Sequence, residues 1–198
     1  MKLAVIGSAL AGGAVQIIDI LLDDQIATDI RIYDDHDQAQ GCDVLGVPVV
    51  GPLERLLSDQ SDGFIDSAII AVGSIEPREM LFKRYAGAKL KFPNIISSKS
   101  TVSRSALLGK GNVVLPYVYI GPRVRVADNN YFTTATVVNH DTTIGSHCYF
   151  STSVSIAGRV SIHDRVRFDT ACCVTADAVV VAESLIGPNE SFGPVRGR

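Results

Sequence analysis

The sequence predicts an α/β domain over residues 1–95, followed by a solenoid of triangular coils over residues 96–198. The first half alternates short apolar runs with amphipathic ones, the mark of strands separated by helices. From Ile96 onward that pattern vanishes and an apolar residue recurs at every sixth position without a break. The totals agree with a folded chain: 46% of the 198 residues are hydrophobic, enough to bury a core. Lysine and arginine number 18 against 21 acidic residues, with no basic block, which excludes an electrostatic footprint for nucleic acid.

In the first half, "LAVIG" reads as a strand. A secretory leader would have only Leu3 to Ala9 as its apolar core, at the short end of the roughly 7 to 15 residues such cores span. Ala14 to Leu22 reads as a helix with Val15, Ile18 and Leu22 on one face, and "DIRIYDD" as a second strand. Leu53 to Leu57 reads as a short helix and "SAIIAVG" as a third, buried strand. A further helix follows at "GSIEPREMLFKRY", where Ser74 suits the cap and Pro77 the first turn. Strands joined through helices imply a small parallel sheet with crossovers. No apolar run approaches the roughly 20 residues of a membrane-spanning helix.

"IGSALAGG" joins the first strand to the first helix, where backbone N–H groups and the helix dipole can receive a phosphate. The same glycines would equally serve a tight turn needed only for packing. "YDD" ends the second strand and offers Asp34 or Asp35 as acceptors for a base or ribose.

In the second half, steps of six give Ile96, Val102, Leu108, Val114, Ile120, Val126, Phe132, Val138, Ile144, Phe150, Ile156, Ile162, Phe168, Val174, Val180, Ile186 and Phe192. Such residues make up roughly a third of ordinary sequence, so an unbroken series by chance is negligible. Two positions earlier the side chain is small or branched, as at Val118, Thr136, Cys148, Val160 and Ala178. This describes coils with flat sides one hexad long, three sides to a coil, and the repeating aliphatic stacked inside.

Cys42, Cys148, Cys172 and Cys173 show no C-x-x-C spacing and read as reduced thiols of a cytosolic protein. Neither they nor His36, His140, His147 and His163 fall at a familiar metal-ligand spacing. His147 and His163 sit near turns and read as solvent-exposed.

One interruption of the repeat carries chemistry. In "VVNHDTTIG", His140 lies two positions past the interior Val138, so it belongs to a corner, where a polar side chain costs the fold little. As a general base its imidazole can accept a proton near neutral pH, with Asp141 orienting the ring. Asn-His-Asp also suits a plain polar turn, and the residues alone leave both readings open.

The stretches "LLGKGNVVLPYVYIGPRVRV", "HDTTIG", "SIAGRVSI" and "SLIG" resemble the hexapeptide-repeat acyltransferases. The preceding "AVIGSALAGG", "RIYDD", "GVPVVGPLERL" and "AIIAVG" resemble one branch, the sialic acid O-acetyltransferase and bacterial nucleotide-sugar N-acetyltransferase family. The resemblance implies a Rossmann-like nucleotide-sugar-binding domain followed by a left-handed parallel β-helix, assembled as a cytoplasmic homotrimer. It implies transfer of acetyl from acetyl-CoA to the amino group of a nucleotide-linked amino sugar for surface glycan biosynthesis. His140 would be the base, set in a cleft between subunits, with Asp141 beside it and no metal. Gly7, Ser8, Ala9, Gly12, Asp34, Asp35 and Gly73 would bind the sugar nucleotide, and Tyr149, Gly158, Thr170 and Gly187 the acetyl-CoA. Tyr149 stands where relatives often carry a second histidine, and Gly158 would admit the thioester.

The chain also departs from that pattern. Leu10 and Ala11 replace the middle glycine and the histidine of a loop that in relatives runs approximately G-x-x-G-H-G, and the last coils lack the usual turn glycines. Sugar O-acetylation and transfer of a longer acyl group are alternatives. So is a non-catalytic trimeric scaffold with a degraded donor site. A zinc carbonic anhydrase on the same coil would need an H-x4-H pair, whereas His140 and His147 are seven apart.

Overall fold

In a computed structural model of the protein, which describes residues 1–7, 12–88 and 90–193, the first strand β1 (Lys2–Ile6) lies inside a five-stranded sheet, paired on both sides. Contacts divide the chain into two units, Met1–Ile95 and Ile96–Arg198. In the first unit β1 is followed by α1 (Gly12–Asp23), β2 (Asp29–Tyr33), β3 (Asp43–Val44), β4 (Val47–Gly51), α2 (Leu56–Ser61), β5 (Ser67–Ile70) and α3 (Ile75–Ala86). The sheet order is β3-β4-β2-β1-β5.

The sheet is mixed, not wholly parallel. β1, β2, β4 and β5 run parallel, but β3 pairs antiparallel with β4. The cause is local: Leu45 and Gly46 both have positive φ, and such a two-residue turn reverses the chain into a hairpin. Helix α1 forms as expected but presents a different face. Ala14, Ile17, Ile18 and Leu21 are buried, following the i, i+3, i+4, i+7 stripe of a core-facing helix, while Val15 and Leu22 are exposed. Ser74 stands at the N-cap of α3 without a side-chain capping bond.

The second unit is a parallel β-helix of two-residue strands, stacked into sheets of 6, 5 and 6 strands. The chain visits the three faces in rotation. Tyr119–Ile120 lies on the first face, Arg125–Val126 on the second and Tyr131–Phe132 on the third, and Val137–Val138 returns to the first. Each strand pairs in parallel with the residue 18 positions on, as Ile120 with Val138 and Val126 with Ile144. This arrangement fits a left-handed β-helix, and every hexad residue from Ile96 to Phe192 packs in a single core cluster. Inside the third face Phe132, Phe150 and Phe168 stack at centroid spacings of 4.6 and 4.8 Å.

Each coil turns at three corners, and the corner residue takes a positive φ in steps of six from Tyr117 to Asn189, with no glycine among them. A non-glycine residue pays roughly 1–2 kcal/mol for that conformation. The corner N–H is what offsets it: Asp141, Ser153 and Arg165 donate to the carbonyls of Pro122, Thr134 and Ser146 in the coil below, at 2.9–3.1 Å. His147 occupies one of these corners and is buried, not exposed, with its Nδ1 2.8 Å from the Asn129 side-chain amide. His163 is exposed.

Removing the middle ring of the phenylalanine stack leaves a void that rigid coils cannot close. Phe150→Ala should lower unfolding free energy by about 3–5 kcal/mol, read from the urea midpoint.

Candidate active site

The turn that carries His140 and Asp141 joins the first face to the second, between strands Val137–Val138 and Thr143–Ile144. Asp141 is the positive-φ residue of the corner, with φ 60, and its N–H is spent on Pro122. The His140 carbonyl accepts from the Arg159 N–H at 2.9 Å. The backbone is therefore pinned from the coil below and the coil above. The side chains are left at the surface, His140 47% and Asp141 31% exposed.

His140 Nδ1 lies 2.7 Å from Asp141 Oδ2. The same carboxylate receives the Arg123 guanidinium in a fork, Nε to Oδ1 at 2.6 Å and Nη2 to Oδ2 at 2.7 Å. Arg123, and His140 after it, hold the Asp141 carboxyl well below the usual carboxylate range. An ionised carboxylate can only accept, so Nδ1 carries the proton, and Nε2 of the neutral ring keeps its lone pair. That is the tautomer a general base needs.

Gly158, one coil above His140, touches the ring. A Cβ there would come within 2.8 Å of both Cε1 and Nε2. The absent side chain thus makes room for the imidazole. The other expected acyl-donor residues are not brought to His140 within the chain. Tyr149 lies on the third face, opposite this corner, where it stacks on Tyr131 at 5.5 Å beneath the Arg167 guanidinium. Thr170 and Gly187 lie at the turns from the third face to the first. There the Thr170 carbonyl accepts from Asn189, and Gly187 donates to Glu190 at 2.7 Å.

In the first unit a cleft of about 450 Å³ opens at the C-terminal ends of the parallel strands, lined in part by Gly7, Asp34, Asp35, His36, Met80 and Arg84. It lies where β1 leads one way to β2 and β5 stands on the other side, the switch point at which open α/β sheets bind ligands. Gly7 has φ +75, and a Cβ would meet Val72 at 2.8 Å. Asp34 is buried and accepts from the His36 N–H at 2.9 Å and the His36 Nδ1 at 2.6 Å. The bond to Asp34 raises the His36 pKa. Asp35 accepts from the Leu53 N–H at 2.8 Å. Both carboxylates are thus partly committed to the fold. Gly12 is exposed at the start of α1, and the Gly73 carbonyl accepts from the buried Arg78 at 3.1 Å. Ser8 and Ala9, with Leu10 and Ala11, lie outside the described residues.

No family model matches the chain. Among solved structures it is similar to the acetyltransferase domain of PglB from Neisseria gonorrhoeae FA1090 in complex with acetyl coenzyme A. That match has a TM-score of 0.83 and 24% identity, over 96% of this chain and 93% of that one. It is also similar to PerB from Caulobacter crescentus, in complex with CoA and GDP-perosamine, at TM-score 0.71 and 26% identity over 96% and 91%. The chain shares the fold of the hexapeptide-repeat sugar N-acetyltransferases. WeeI from Acinetobacter baumannii AYE matches this acetyltransferase fold at TM-score 0.72 and 14% identity, over 98% and 95%. Among the described residues no three His, Cys, Asp or Glu side chains group as a metal site, and no helix is long and apolar enough to cross a membrane.

Three residues escaped the sequence reading. Arg123 is 18 positions before Asp141, so a step of one coil would have found it. His36 and Arg84 line the cleft, but their place there depends on which side of the sheet each connection packs.

Gly158→Ala should push the imidazole off its seat while leaving the coil folded. The downfield Nδ1 proton resonance of the His140–Asp141 bond should weaken, with unfolding free energy changed by less than about 1 kcal/mol.

Proposed function

We propose that the protein is an acetyltransferase that moves an acetyl group from acetyl-CoA to the amino group of a nucleotide-linked amino sugar, with His140 as general base. The observation that carries this is the Arg123–Asp141–His140 arrangement, which leaves Nε2 unprotonated at an exposed corner. The Caulobacter enzyme supports it. That GDP-perosamine N-acetyltransferase has been solved with CoA and GDP-perosamine in variants whose histidine is replaced by alanine or asparagine, each similar to this chain.

The chemistry follows from the ring. Nε2 takes the proton from the attacking amine as its nitrogen bonds to the thioester carbon, and the carbonyl oxygen becomes an oxyanion. The tetrahedral intermediate then expels the CoA sulfur, which takes the proton back from the imidazolium. The products are an N-acetylated sugar nucleotide and free CoA thiol. Asp141 stabilises the imidazolium in between and, held ionised by Arg123, does not itself titrate in the range where imidazole does.

The cleft of the first unit takes the nucleotide in a Rossmann-like manner, and Gly7, Ser8, Ala9, Gly12, Asp34, Asp35 and Gly73 are the residues we assign to it. What supports this is the cleft's position at the switch point, and His36 and Arg84 on its wall as cationic partners for a diphosphate. Tyr149, Gly158, Thr170 and Gly187 are the residues we assign to the acetyl-CoA side. The protein works as a homotrimer in the cytoplasm, in surface polysaccharide biosynthesis.

Calorimetry with acetyl-CoA, followed by thiol release over a panel of nucleotide amino sugars, tests this. His140→Ala should keep CoA binding and lower kcat by on the order of 10²–10⁴. Absence of CoA binding by the wild type would overturn the assignment. Light scattering should give about three times the 21.1 kDa chain mass.

A further inference from the structure

The corner that holds the candidate base is built as a charge ladder. At 18-residue steps its positive-φ positions are Arg123, Asp141, Arg159 and Asp177, alternating in sign. They pair off in twos: Arg123 forks onto Asp141, and Arg159 places Nε 2.6 Å and Nη2 3.1 Å from the two oxygens of Asp177. Asp141 therefore faces one guanidinium, from the coil below, although Arg159 stands as close in sequence register above. Arg125 and Asp141 also line the same shallow depression on the second face. The charges around His140 are thus Asp141, Arg123, Arg125, Arg159 and Asp177, with Gly158 against the ring itself.

We propose that Arg123 is a positioning residue for the acetyl transfer assigned above: by gripping both oxygens of Asp141 it fixes the rotamer that holds His140 Nδ1–H. The fork matters because Oδ2 is shared. It accepts from Arg123 Nη2 and sits 2.7 Å from His140 Nδ1. A carboxylate held at both oxygens cannot swing away from the imidazole, whereas an exposed Asp held by the imidazole alone loses that restraint. The effect on proton affinity has a definite sign. Removing a cation from beside the carboxylate leaves its full negative charge to favour the imidazolium, so the ring becomes harder to deprotonate but worse placed. Arg165 pairs with Glu183 at the next corner, in the column Asn129, His147, Arg165 and Glu183, so it offers an arginine–carboxylate pair that does not touch the His140–Asp141 turn.

The test compares wild type, Arg123→Ala, Arg123→Lys and Arg165→Ala by histidine NMR titration and by kinetics, with His140→Ala identifying the resonance. In Arg123→Ala the His140 midpoint should move to higher pH. Its kcat should fall about tenfold, while KM for acetyl-CoA changes by less than about twofold. Arg123→Lys, which keeps the charge but not the fork, should hold the midpoint and recover only part of kcat. Arg165→Ala should change neither. An unmoved midpoint in Arg123→Ala, or the same changes in Arg165→Ala, would overturn the proposal. A moved midpoint in a protein that turns over no nucleotide amino sugar would uphold the positioning of His140 and sink the acetyl-transfer assignment instead.

Discussion

Residues 18 apart in the second unit sit directly above one another, and nearly everything else about that unit depends on this register. Neighbouring parallel strands lie about 4.8 Å apart, so whatever occupies one coil must accept what stands at the same position in the next. In the interior the rule produces phenylalanine on phenylalanine. At the corner between the first and second faces it produces arginine under aspartate and glycine over histidine. Core and candidate site are thus two consequences of one spacing.

The register also accounts for the corners. A run of non-glycine residues at positive φ would be an expensive conformation in isolation. Here the same geometry aims the corner N–H at the preceding coil, as when Asp141 donates to the Pro122 carbonyl and Arg123 to the Ser105 hydroxyl. The turn is stabilised by its neighbour and not by its own residue type, so the corner positions are released for side chains with other uses. His140 and Asp141 occupy such a turn. Their backbone is fixed from both sides and their side chains meet at a defined distance on the surface, which suits a proton-transfer pair whose geometry must not drift.

The first unit follows a different constraint. A parallel sheet must cross over between strands, and where the crossovers change direction the strand ends cannot be covered. The cleft beside Gly7 is that uncovered place. Its carboxylates do structural duty, with Asp34 holding His36 and Asp35 holding the start of the segment at Leu53. Polar character in the cleft therefore comes partly from residues that the fold has already oriented.

Hydrophobic period alone determined the solenoid: every hexad residue from Ile96 to Phe192 joined the core, because a repeat that stacks on itself leaves a one-dimensional pattern in the sequence. It also placed His140 at a corner with Asp141 beside it. Neighbours in sequence were legible, and neighbours one coil apart were not. Arg123 and the seat at Gly158 became evident as partners of the His-Asp pair only when the coils were stacked, since pairing across coils is a property of the closed turn. In the first unit β1, β2, β5 and the helices were legible, but the hairpin strands β3 and β4 that reverse at Leu45-Gly46, the buried stripe of α1 and the cleft wall at His36 and Arg84 were not. Each of these depends on which face packs against the sheet, and period gives a face without saying what covers it. The tertiary structure decided those, because only there does a side chain acquire a neighbour distant in sequence.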